Sequence, residues 1–102
     1  MAIEIQGDTY DFCFTDRRID IIEKTTGKPI IANFIQNGGV VSLSDLKVMF
    51  IQGLKKEDGP YIIQKTGEQA FKQVLDEYGY MAVNGMIIEA LERDCPFFFR
   101  ES

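Results

Sequence analysis

The sequence contains no histidine. It therefore has no imidazole to serve as general base, proton shuttle or metal ligand. Cysteine is scarce. Cys13 and Cys95 are the only two, and they lie too far apart to match any metal-ligand spacing. Each reads as a small buried thiol; a disulfide between them is geometrically allowed, but nothing in the sequence supports it. No phosphate loop is present, because neither Asn37-Gly38-Gly39 nor Gly79 is followed by Gly-Lys-Ser/Thr. Gly7-Asp8 and Asp58-Gly59 are turn chemistry rather than calcium loops. There is no basic excess: 11 Lys and Arg face 16 Asp and Glu, for a net charge of −5 and a pI of about 4.6. That balance argues against a nucleic-acid-binding face and disfavours docking on anionic lipid. The N-terminus, Met-Ala-Ile-Glu-Ile-Gln, has no charged and apolar leader pattern, so an intracellular protein is expected. No apolar run approaches the ~20 residues that span a bilayer.

These absences leave little room for catalysis. A Ser or Cys nucleophile lacks its usual base. Glu89 and Glu92, three residues apart, read as a solvated helix pair. Cys95-Pro96 reads as a helix terminator rather than a thiolate haem ligand. The sequence thus predicts a non-enzyme with no catalytic residue, cofactor or metal. The one enzymatic alternative assembles a site from carboxylates such as Glu4, Asp11 and Glu23 in a polar cleft.

What is abundant is apolar side chain, 45% of 102 residues, enough for one globular domain over 1–102. The pattern predicts an α+β fold, mostly helical, with an N-terminal β-hairpin (2–15) packed against four or five short helices (16–94) and an aromatic tail (95–102). Ile3 and Ile5 alternate with Glu4 and Gln6; Tyr10, Phe12 and Phe14 alternate with Asp11 and Cys13; the turn is placed at Gly7-Asp8-Thr9. Thr15 or Asp16 caps a helix carrying Ile19 and Ile22, and Gly27 stops it. Pro29 opens a second helix with Ile30, Ile31, Phe34 and Ile35. After an extended Val40-Val41, Ser42 or Ser44 caps a third, with Leu46, Met49, Phe50 and Leu54 at helical spacing and Lys55-Lys56 at its C-terminal end. Tyr61-Ile62-Ile63 fits either a helical turn or an extended bridge. Thr66 and Gln69 have capping-box spacing for a helix to Tyr78.

The stretch Tyr80–Arg93 is the centre of the chain. Tyr80, Val83, Ile87, Ala90 and Leu91 share one face, Met81, Met86 and Ile88 widen it, and only Asn84, Glu89 and Glu92 form a polar strip. A helix this apolar must be covered by the other elements. The tail Phe97-Phe98-Phe99 follows a helix stop. Three consecutive rings cannot all face one side of a regular element, so the run either tucks across the helices or exposes an interaction patch.

In this order of elements the chain resembles the tail assembly chaperones of long-tailed phages and prophages. The matching features are the strand pair around Gly7-Asp8-Thr9-Tyr10, the charged helix ending Glu23-Lys24-Thr25-Thr26-Gly27-Lys28-Pro29, and the helix from Leu43-Ser44-Asp45-Leu46 to Gly53-Leu54-Lys55. The segment Glu77-Tyr78-Gly79-Tyr80 before the final helix completes the pattern. The resemblance covers most of the chain and carries no catalytic signature. It implies a non-enzymatic protein of the host cytoplasm that binds the tape measure protein, or another phage tail protein, before the tube polymerises. It implies no ATP, cofactor, nucleic acid or membrane, and a homo-oligomer is compatible with it. Client contact is expected at Phe97, Phe98 and Phe99, with Met49 and Phe50 as weaker candidates that fit the core equally well. It further implies a longer product made by ribosomal slippage at the tandem Phe codons. The alternatives are a structural tail or connector component, or a small protein-binding adaptor.

Overall fold

The computed structural model describes residues 2–100; Glu101 and Ser102, the end of the expected tail, lie outside them. β1 (Ile3–Ile5) and β2 (Asp8–Phe12) form the expected hairpin, with Ile5 opposite Asp8. The turn is Gln6-Gly7, one step earlier than the sequence indicated. Both residues have positive φ, 52° and 84°, which gives the two-residue turn whose twist matches that of the strands. A third strand, β3 (Leu54–Lys56), pairs antiparallel with β2 and puts Leu54 opposite Phe12. The sheet order is β1-β2-β3.

β3 corrects the sequence reading, which ran the third helix on through Leu54 to Lys55-Lys56. Gly53 explains the break. A Cβ at Gly53 would lie 2.3 Å from the Phe14 ring, and the Gly53 carbonyl accepts the Cys13 amide at 2.8 Å. The chain therefore leaves the helix where it meets the sheet. It then turns at Asp58-Gly59 and comes back extended. The Lys55–Tyr61 bridge and the Ile62 amide on the Leu54 carbonyl settle Tyr61-Ile62 as an extended bridge.

Five α-helices and one 3-10 turn make up the rest of the described chain. α1 (Asp16–Thr26) is capped by the Thr15 hydroxyl, which accepts the Arg18 amide at 3.2 Å, and it ends on left-handed Gly27. α2 (Ile30–Gln36) follows Pro29, which sits just outside the helix instead of opening it. α3 (Leu43–Gly53) is capped by Ser42. α4 (Gln64–Tyr78) starts two residues before the expected Thr66, with no side-chain cap. The extended Ile62 sets this start, so the Thr66/Gln69 box is unused. α5 (Tyr80–Asp94) follows after Gly79 alone, and the tail continues as the 3-10 turn Pro96–Phe99.

One core joins the sheet to the helices. Phe12 stacks on Phe14 at 6.0 Å and meets the Phe50 ring edge-on at 5.4 Å; Phe50 meets Phe71 of α4 at 5.3 Å. α5 buries Val83, Met86, Ile87, Ala90 and Leu91, as its periodicity predicts. Two of its residues depart from that prediction. Met81 is 65% exposed instead of widening the buried face, and Asn84 is 2% exposed instead of lying on a polar strip.

Candidate interaction surface

α3 and α4 are held side by side by Phe50 against Phe71 and by the close approach of Gly67 to Ile51, where a Cβ would lie 2.9 Å from a methyl group. Between them opens a groove of about 720 Å³ lined by Leu43, Ser44, Lys47, Glu68, Phe71, Lys72 and Leu75. Its apolar lining comes from the first turn of α3 and the C-terminal half of α4. Leu43 is 52% exposed there, while Phe71 turns most of its surface into the core. A smaller depression of about 300 Å³ shares Ser44 and Lys47 and reaches Thr25, Val48, Ile51, Gln52 and Gln64. The groove follows α4 from Glu68 to Leu75, roughly 10 Å at 1.5 Å per residue, or about two helical turns.

The charged groups of the groove are solvated. Lys47 sits 4.0 Å from Glu68, across the seam, and both side chains are 43% exposed. Lys72 is held 2.8 Å from Asp76, four residues along α4. Exposed pairs of this kind contribute little to stability and exchange readily with other partners.

The phenylalanine run divides. Phe97 is 55% exposed, whereas Phe98 and Phe99 are partly buried against the core. The Phe97 and Phe98 rings lie 4.6 Å apart, tilted by 36°. The tail is folded back by Cys95, which is buried with Sγ 3.5 Å from the Phe14 carbonyl. Burial, and then the nearby acidic groups, push its thiol above the usual cysteine value. Cys13 and Cys95 are both free.

Met49 and Phe50 are corrected by the structure: both are fully buried. Phe50 is the ring that links β2 to α4, so neither residue offers a surface to a client. The apolar lining of the groove, exposed Leu43 with partly buried Leu75 beside Phe71, was absent from the sequence-level candidates, as were the exposed Ile63 and Met81 elsewhere on the surface. Its signal was weak. Phe71 and Leu75 are four apart and read as ordinary core face, and Leu43 looks like a helix-start residue. The groove exists only because α3 and α4 are neighbours, which no local pattern specifies.

Elsewhere the polar chemistry is connective. The Arg18 guanidinium lies 3.6 Å from the centre of the Tyr61 ring and donates to the Gln52 side chain at 2.9 Å. The Tyr61 hydroxyl donates to the Cys13 carbonyl at 2.7 Å. Burial and the adjoining Cys13 raise the Tyr61 phenol above its ordinary value. Asp11 lines a depression with Lys55, Lys56, Glu57 and Asp58. Among the described residues there is no group of three His, Cys, Asp or Glu placed to hold a metal ion. No described helix is long and apolar enough to cross a membrane.

Fold and surface together define an α+β domain, mostly helical, that carries an apolar groove between two helices and one exposed ring on its tail. Comparisons with protein-family models, with curated proteins and with solved structures gave no match.

Proposed function

We propose that this chain is a non-enzymatic assembly chaperone of a long phage tail. In this reading it binds the tape measure protein in the host cytoplasm until tube subunits replace it. The observation that carries the proposal is the groove between α3 and α4: apolar, open, and about two turns long. Such a groove suits an amphipathic helix, which lays its apolar face against the apolar wall of its host. The exposed Phe97 ring adds a second apolar contact. The order of elements in the sequence, which resembles that of tail assembly chaperones, supplies the identity of the client. Excess acidic charge keeps a protein with this much exposed apolar surface soluble.

Co-expression with the tape measure protein that this reading expects to be encoded immediately downstream tests the proposal. Wild type is expected to keep the client soluble and to co-purify with it, while Leu43→Ser with Leu75→Ser loses the client and keeps native circular dichroism. Phe97→Ser is expected to weaken retention without unfolding, because the ring is more than half exposed. A client that stays insoluble beside wild type overturns the proposal, and so does recovery of the chain in finished tails.

A further inference from the structure

The loop between α2 and α3, residues 37–42, is held by few contacts and covers a polar atom. Its ends belong to the helices: the Gly39 amide donates to the Phe34 carbonyl at 2.7 Å, and Ser42 caps α3. Between them the backbone has one side-chain partner among the described residues, the Tyr80 hydroxyl of α5. It accepts the Val41 amide at 3.2 Å and donates to the Val41 carbonyl. The remaining contacts are made by small groups. Gly39 lies against Ile88, Val41 is half-buried, and Val40 is exposed. So little apolar surface costs little to uncover. Gly38 and Gly39 both have positive φ, 69° and 83°. Glycine reaches either hand of the backbone without penalty, so the pair suits a hinge. Open space lies beside the loop, where Val40 and Val41 line a depression of about 240 Å³ with Asn33, Asn37 and Asp45.

Beneath the loop is Asn84, one turn of α5 from both Tyr80 and Ile88. Its Nδ2 donates to the Tyr80 carbonyl at 2.9 Å, while its Oδ1 is buried without a partner among the described residues. The closed loop keeps water from that oxygen, and lifting the loop hydrates it. Two effects therefore oppose each other: the Tyr80 hydroxyl and the Val41 side chain hold the loop down, and the Asn84 carbonyl favours raising it. We infer that residues 38–42 form a flap, hinged at Gly38-Gly39 and latched by the Tyr80 hydroxyl, that lifts off Asn84 while the rest of the domain stays folded. Lifting uncovers a strip of α5 from Tyr80 to Ile88 with an amide at its centre.

Hydrogen exchange measured by NMR at increasing low urea tests this. The probes are the Val41 amide, the Asn84 side-chain amide and, as reference, the Ile87 amide in the buried face of α5. In wild type the first two are expected to exchange faster than Ile87 and to ignore urea, because a local opening exposes little surface, whereas exchange at Ile87 rises with urea. Tyr80→Phe removes the latch and is expected to speed the Asn84 side-chain amide about tenfold, still without urea dependence. Asn84→Leu removes the oxygen that favours opening and is expected to slow the Val41 amide about tenfold. Its Val41 bond to Tyr80 is untouched, so that rate reads the opening alone. A urea dependence at Val41 and Asn84 equal to that of Ile87 would mean that the loop opens only with the whole fold, and overturns the inference. An unchanged Asn84 rate in Tyr80→Phe overturns it too, as does a Val41 rate in Asn84→Leu that is unchanged or faster.

Discussion

Asn84 is the residue at which the physical requirements of this core are least well met. Its Nδ2 donates to the Tyr80 carbonyl at 2.9 Å, while its Oδ1 is buried with no partner among the described residues. An orphaned buried acceptor costs about 1–3 kcal/mol. Replacing the amide with an apolar group of similar size removes that cost, so Asn84→Leu is expected to raise the urea midpoint, by about 1 kcal/mol in unfolding free energy. Asn84→Asp puts a carboxylate in the same place and is expected to lower stability by about 3 kcal/mol or more. A lower midpoint for Asn84→Leu would overturn this account of the buried amide. The helical wheel identified Asn84 as polar and for that reason put it outside. It could not show that Tyr80 and Ile88, one turn to either side, hold a loop over it: the Tyr80 hydroxyl bonds to the backbone of Val41, and Ile88 packs beneath Gly39.

Two helical glycines make opposite predictions at the scale of the element. Gly85, within α5, has nothing within 4 Å of where a Cβ would stand. Gly85→Ala is therefore expected to stabilise by about 0.5–1 kcal/mol, the ordinary helix-propensity difference. Gly53, at the end of α3, faces the Phe14 ring at 2.3 Å. Gly53→Ala must displace that ring and is expected to destabilise by about 1–3 kcal/mol despite the better propensity of alanine. Thermal melts of the two variants check both signs. The same close approach explains why β3 was invisible in the sequence. Leu54 continues the apolar spacing of α3, and lysines are welcome at a helix C-terminus, so every local preference at Leu54–Lys56 agreed with helix. Only contact with β2 overrules it. Where neighbours were not needed, the sequence was legible: the hairpin alternation, the Thr15, Ser42 and Gly27 boundaries, and the buried face of α5 all follow from periodicity and capping. Of the candidate surface, an exposed ring in the Phe97–Phe99 run was legible as one of two readings of the tail, but not which ring, whereas the groove required knowing which helices touch.

At the scale of the whole molecule, the end of β2 and the end of α5 are fastened to each other. Asp94 accepts the Phe14 amide at 2.9 Å and is paired with the Arg93 guanidinium at 2.8 Å, and Arg93 also donates to the Phe12 carbonyl. Partial burial by itself would raise the Asp94 carboxyl; the hydrogen bonds from Arg93 and Phe14 more than reverse this and hold it below the ordinary aspartate value. A carboxyl depressed in the folded state stabilises fully above the unfolded-state value, near pH 4, and its contribution is lost as pH falls through the lower folded value. Asp94→Asn is thus expected to be less stable than wild type at neutral pH, with the gap closing on acidification below about pH 4. Urea midpoints of the two proteins across that range check this, and a constant gap would place the fastening elsewhere. The clasp joins residues 80 positions apart in sequence. On a ribosome, β2 would meet β3 and the Phe50 ring of α3 midway through synthesis but would wait for its clasp until α5 had emerged. The sheet would spend that interval without the α5 side of its core, so the nascent chain would be most prone to aggregation before α5 arrived.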